Sequence, residues 1–164
     1  MRRNISIKTK ERLLKTYVFS TLTYGAEAWT LNKEIERRID ACENYCYRRM
    51  LKISWMDKIN NSNVLRRIRE NQLELLNTIK ERKTKFAGHI LRRPEGTLLK
   101  DVMEGTVEGA RGRGRPRIMW MDNIMEWLNV TSLEAIQELA ANRQTFRTAV
   151  STSVWQPSTA MTPH

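Results

Sequence analysis

The sequence predicts an all-α protein, a helical bundle of about six helices with an Arg/Gly-rich connector. Three observations predict it. Gly and Pro are scarce before position 94, and apolar residues fall at helical spacing, every three or four positions, almost throughout. The composition, 40% hydrophobic and 29% charged, is that of a folded chain rather than a disordered one. At 164 residues the chain can build one ordinary domain or two small helical bundles sharing a linker.

The elements follow in order. Leu13, Leu14, Tyr17, Val18, Thr21 and Leu22 mark a first helix that ends near Gly25. Ile35, Ile39, Cys42, Cys46 and Met50 recur at steps of four, three, four and four, one stripe of a long helix from about 33 to 53, with Arg37, Arg38 and Arg48 expected in water. Asn60, Asn61, Ser62 and Asn63 are cap residues, so a short helix carrying Val64, Leu65 and Ile68 is expected to start at Ser62. The next helix carries Leu75, Leu76, Ile79, Phe86, Ile90 and Leu91 on its buried side and closes at Pro94 and Gly96. The stretch 98–107 reads equally as a helical turn or a short extended piece. A helix from about Arg117 to Leu128 follows. Thr131 with Glu134 fits the S/T-x-x-E capping box of a last helix carrying Leu133, Ile136, Leu139, Ala140, Phe146 and Val150. The resulting organisation is a bundle over 5–94, a connector over 95–117, a helical pair over 118–150 and a disordered tail over 151–164. Trp29, Trp55, Trp120 and Trp127 lie beside apolar stripes, which predicts core anchors.

Charge directs attention to function. The chain has 29 Lys and Arg against 18 Asp and Glu, a formal charge of +11. Mixed signs would solubilise a domain equally well, whereas a basic field attracts phosphate polymers or anionic lipid. No run reaches the roughly 18 apolar residues of a membrane span, and the basic N-terminus lacks a signal peptide's apolar core. The expected setting is the cytoplasm or nucleus, with nucleic acid as partner and no membrane. Two basic constellations stand out. On the helix through KERKTKFAGHILRRP, Lys80, Arg82, Lys83, Lys85, Arg92 and Arg93 are accompanied by one acid, Glu81. In GARGRGRPR, Arg111, Arg113, Arg115 and Arg117 alternate with residues that cannot hold a helix, which keeps the backbone thin and extended. Arg113-Gly114-Arg115-Pro116 matches the AT-hook, in which Gly lets the backbone lie on the minor-groove floor. General phosphate contact and plain connection are the other readings of the same string. These ten cations are the candidate nucleic-acid-binding residues.

Catalytic chemistry finds few residues to work with. His89 and His164 are the only histidines. Cys42, Cys46 and His89 lack a fourth ligand, and cysteines four apart on an apolar stripe read as reduced core residues. No DD or DxD pair marks a two-metal site, and Asp122, a lone acid on a tryptophan-bearing helix, reads as a salt-bridge partner. The expectation is no catalytic residues, no metal and no cofactor.

Four motifs now fall into an order. Tyr24-Gly25-Ala26-Glu27 with Trp29, Tyr47-Arg48-Arg49-Met50-Leu51, Gly88-His89-Ile90-Leu91-Arg92, and Gly114-Arg115-Pro116-Arg117 ahead of Trp120 resemble the region that follows the polymerase palm in reverse transcriptases of non-LTR (LINE-like) retrotransposons. The resemblance covers about residues 5 to 150. It implies that 5–94 is thumb-like, that the chain is a C-terminal fragment or domesticated relic, and that a primer-template or target duplex is its partner, with a palm domain supplied in trans as the partner of the adaptor alternative. The family's aromatic-Ala-Asp-Asp metal motif and the zinc knuckle of some relatives are absent from this sequence. On this reading the arginine comb joins the thumb-like and terminal helices where it can touch the template or target backbone. A free-standing helical adaptor for protein partners and an AT-hook-type DNA-binding protein are the alternatives.

Overall fold

The computed structural model describes residues 5–68, 72–104 and 118–155, and among these it is all-α. The helices are α1 (Ile7–Leu13), α2 (Ser20–Leu22), α3 (Lys33–Leu51), α4 (Asn61–Ile68), α5 (Leu75–Leu91), α6 (Leu98–Glu104), α7 (Trp120–Leu128), α8 (Leu133–Ala141) and α9 (Arg143–Val154). They exceed the expected six for local reasons. A π-helical segment, Leu14–Phe19, joins α1 to α2. There the hydroxyls of Ser20, Thr21 and Thr23 donate to the carbonyls of Thr16, Tyr17 and Phe19, four residues back. The ambiguous stretch after Leu98 is helical as α6. The expected last helix is two: Ser132, not Thr131, caps α8, and Asn142 ends it by accepting from the N–H groups of Gln144 and Thr145 to open α9. Helix α9 runs to Val154, into the segment expected to be disordered.

The chain divides into two compact units, Met1–Gly25 with Lys33–Ile79, and Ala26–Asn32 with Lys80–His164. The division falls within α5 rather than at position 94, because the residues after Ile79 pack with a different set of helices. The connector expected over 95–117 lies partly in α6 and otherwise, from 105 to 117, outside the described residues.

In the first unit, α3 begins with Glu34 and Glu36 and ends with Arg48 and Arg49, charges that complement the helix dipole. It terminates in a Schellman motif: Lys52 takes φ 58°, its N–H donates to Arg49 O at 3.2 Å, and the Ile53 N–H donates to Arg48 O at 2.9 Å. The expected stripe is rotated. Ile39 is buried, but Ile35, Cys42, Cys46 and Met50 are half-buried, and the most buried line is Ile39, Glu43, Tyr47. Arg37 and Arg38 lie in water as expected, whereas Arg48 bonds to Ile59 O and Asn61 Oδ1. Helix α4 is capped by Asn60, whose Oδ1 accepts from Asn63 N at 2.9 Å, and it buries Val64 and Ile68. The apolar residues that mark the first helix are mostly outward, Tyr17 at 67% exposure, with Phe19 buried instead and packed edge-on to Tyr47.

The second unit has a core of Ala87 and Leu91 from α5, Met121, Ile124 and Leu128 from α7, Ile136 and Ala140 from α8, and Phe146, Val150 and Val154 from α9. Gly88 is required by close approach: a Cβ there would lie 2.3 Å from Phe146 Cε1. Helix α7 ends in a second Schellman motif, with Asn129 at φ 53° and the Val130 N–H donating to Met125 O at 3.0 Å. At its other end Asp122 accepts from the Met119 N–H at 2.6 Å and acts as a cap, where the sequence suggested a salt bridge. Phe86 is 39% exposed, edge-on to Trp120, and not on the buried side. Trp55, expected in the core, is 89% exposed.

Candidate nucleic-acid interface

Helix α5 and the two residues after it carry the cations singled out from the sequence. Arg82 and Lys85 are exposed on the helix, and Arg92 and Arg93 are exposed just past its end. Their surroundings differ. Lys85 pairs with Glu81 one turn earlier, and the same carboxylate accepts from Trp155 Nε1 at 3.1 Å. The Lys85 hydrogen bond is the main reason Glu81 is held below the usual carboxylate range. Arg92 donates to Ala140 O at 3.1 Å and stacks 5.9 Å from the Phe146 centroid, so its guanidinium both ties α5 to α8 and faces water. Lys80 is half-buried, 5.3 Å from the Trp127 centroid. Exposed cations can neutralise phosphates without reading bases.

Lys83 departs from the expectation. It is fully buried, on the line Ile79, Lys83, Ala87, and cannot contact a phosphate. Its ammonium donates to Asn123 Oδ1 at 2.7 Å and Trp29 O at 2.9 Å, and lies 4.8 and 5.3 Å from the Trp120 and Trp127 centroids. Asn123 also accepts from the Leu31 N–H at 2.8 Å and donates to Leu31 O at 2.7 Å, while Trp120 Nε1 donates to Glu27 O at 2.7 Å. The segment 26–32 is thus laced to α5 and α7 by its backbone. Residue type assigned Lys83 to the outer face; its position one turn after Ile79 places it inside.

Burial pushes the Lys83 pKa down to about 8. An amine whose folded pKa lies below its unfolded value binds fewer protons folded than unfolded between the two. Stability therefore rises with pH from about 8 toward the 10.5 of an ordinary lysine, and the penalty is complete below that window. Two acceptors and two indole faces support the ammonium, so the expected gain is about 1–3 kcal/mol. Urea midpoints on either side of the window should rise for the wild type relative to Lys83→Met. Parallel pH dependence in the two proteins would show that the buried amine does not titrate there.

Arg111, Arg113, Arg115 and Arg117 lie outside the described residues. Among the described residues no three His, Cys, Asp or Glu side chains are grouped to hold a metal. Cys42 and Cys46 are free, half-buried thiols, and burial, with Cys42 alongside, raises the Cys46 pKa. No helix among the described residues is long and apolar enough to cross a membrane.

A relative is known at this level of detail. The chain is 28% identical over 139 residues to a transposon-derived protein of Caenorhabditis elegans, covering 80% of this chain and 48% of that protein. The similarity points to a transposon-related origin. The chain spans about half the length of the curated relative it matches. No family model and no solved structure matches it.

Proposed function

We propose that this chain is a nucleic-acid-binding module of retrotransposon origin, without catalysis of its own, that holds a duplex through phosphate contacts. The observation that carries this reading is the outward placement of Arg82, Lys85, Arg92 and Arg93 on and beside α5 in a chain of formal charge +11. The transposon-derived relative supports the origin. The motif order adds the finer form: a thumb-like part of a LINE-type reverse transcriptase that grips primer-template or target duplex beside a palm domain supplied in trans. The arginine comb, Arg111 to Arg117, extends the grip as a connector rather than as a base-reading hook.

Fluorescence anisotropy titrations of duplex DNA over a range of salt test this reading. Arg82→Ala and Arg93→Ala should each weaken binding alike for A·T-rich and G·C-rich duplexes, and each should reduce the magnitude of the log-log salt slope by up to about 0.9. Arg115→Ala should behave the same way. Lys83→Ala should leave the slope unchanged at temperatures where the variant is folded, because a buried ammonium releases no counterion. Salt-independent binding, or none, would reject the proposal.

A different observation favours a protein-interaction role. Leu13, Tyr17, Val18 and Leu22 all present exposed apolar surface along the α1 to α2 segment of the first unit. On that reading the helical faces dock a protein, and the charge serves only the encounter.

A further inference from the structure

Trp55 and Met56, 89% and 85% exposed, stand on the loop between α3 and α4, and neither contributes to the α5 edge. Single apolar side chains in water are ordinary and by themselves mark no site, so what is informative is the backbone that carries these two. Here it is held at every step. The Schellman motif fixes the entry, with Ile53 buried as its anchor. The Ser54 N–H donates to Asp57 Oδ2 at 2.6 Å and Ser54 Oγ accepts from the Met56 N–H at 3.3 Å, closing the 3-10 turn Trp55–Asp57. Lys58 follows at φ 48°, and its N–H donates to Trp55 O. Arg48 secures the exit through Ile59 O and Asn61 Oδ1.

Two lysines, Lys52 and Lys58, adopt left-handed backbone that a glycine would adopt more readily. The loop is a preorganised mount, and its side chains, not its backbone, are what it displays.

The charge around it has one sign. Between Asn44 and Ile68 the cations are Arg48, Arg49, Lys52, Lys58, Arg66 and Arg67, and the one acid, Asp57, has an oxygen engaged by the Ser54 N–H. Arg49, Lys52 and Lys58 flank the turn and are exposed. An exposed indole on a segment whose exposed neighbours in sequence are cations suits a π-system joined to phosphates. In a duplex the base faces are stacked on each other, whereas in a single strand they are open to an aromatic side chain. We infer that Trp55 is a stacking platform for an unpaired base of single-stranded nucleic acid, with Lys52, Lys58 and Arg49 as its phosphate contacts.

This inference rests on the nucleic-acid reading above but concerns a different unit and a different form of the ligand, so the two can fail separately. The test titrates the full chain with a labelled oligothymidylate of about 12 nucleotides, within the span one such surface covers, and with a duplex of equal length. Trp55→Ala should weaken single-strand binding about tenfold or more, the size of one base–aromatic stack. Trp55→Phe should retain most of it, and duplex affinity should be unchanged in both. Tryptophan fluorescence should be quenched on single-strand binding in the wild type, and that quench should be lost in Trp55→Phe. If Trp55→Ala binds the single strand like the wild type, the platform is overturned while the duplex reading stands. Equal losses for duplex and single strand would also overturn it. So would a change in sedimentation behaviour with single-strand affinity intact, which would assign the surface to another protein chain. A wild-type chain that binds neither ligand sinks both proposals.

Discussion

Asn123→Leu should destabilise the second unit by about 3–6 kcal/mol, although the two side chains are similar in volume. Asn123 Oδ1 accepts from the Leu31 N–H and from Lys83 Nζ, and its Nδ2 donates to Leu31 O, all within 2.8 Å and all buried. Leucine fills the space but leaves both backbone groups of Leu31 without a partner and strips the Lys83 ammonium to one carbonyl and two indole faces. Each buried group left unsatisfied costs about 1–3 kcal/mol, more when charged. Against a typical domain stability of about 5–15 kcal/mol this is a large fraction. Urea unfolding should show a lower midpoint, and hydrogen exchange should show lost protection at the Leu31 N–H. Adding Lys83→Met to Asn123→Leu removes the stranded charge, so the pair should cost less than the sum of the singles, a coupling that a double-mutant cycle reads directly. A cost below about 1 kcal/mol, or strict additivity, would mean that the Asn123 bonds contribute little to holding segment 26–32.

The legible and illegible parts of this structure divide along a physical line. Helix positions were readable because they depend on local chemistry. The apolar period, the asparagines ahead of α4, and the Gly and Pro after α5 act within a few residues of themselves. Which face turns inward was less readable, since counting apolar residues assumes that polar ones point out. Glu43, Lys83 and Asn123 violate that assumption, and apart from Tyr47, one turn after Glu43, their partners lie 31 to 92 residues away in sequence. One clue was present for Asn123: it interrupts the apolar run IMWMDNIMEW on the side its neighbours Trp120 and Trp127 share. Nothing local marks Glu43, which sits in a helix full of charges. Phe86 and Trp55 fail in the opposite sense. Their place on or beside apolar stripes predicted burial, but each lies off the buried line of its segment, and exposure of that kind is set by tertiary packing.

Four of the six cations chosen from the helical stretch, Arg82, Lys85, Arg92 and Arg93, are exposed, and Lys83 is the clear exception. A basic helix face is visible as a charge excess, but the one amine that neighbouring helices enclose is not. Lys83 lies one turn from Ile79 on one side and one turn from Ala87 on the other. That spacing was the available warning.

The last expected result concerns the first unit, where Glu43→Ala should cost about 3–5 kcal/mol. Glu43 is fully buried in α3 and lies across the start of α5. Its Oε1 accepts from Tyr47 Oη at 3.0 Å and from the Glu74 N–H at 3.1 Å, and its Oε2 accepts from the Leu75 N–H at 2.9 Å. The first N–H groups of any helix lack partners within it and carry the positive end of its dipole, so a carboxyl there is both acceptor and electrostatic complement. Alanine removes both, takes the acceptor away from the Glu74 and Leu75 N–H groups, and opens space beside Tyr47. Glu43→Gln keeps the volume, yet its NH2 must face one of the donors, so about 1–3 kcal/mol is expected. Tyr47→Phe removes the hydrogen bond to Glu43 Oε1 and should cost about 1 kcal/mol. The order Ala, then Gln, then Tyr47→Phe is what distinguishes a buried helix cap from ordinary packing, where Gln would be nearly silent. Glu34→Ala, which loses the exposed pair with Arg38 and an acid in the first turn of α3, supplies the baseline at about 1 kcal/mol or less. If urea midpoints place Glu43→Ala beside Glu34→Ala, then α5 starts where it does without help from α3, and the join between these two helices must be sought in the apolar contacts of Tyr47 and Leu75 instead.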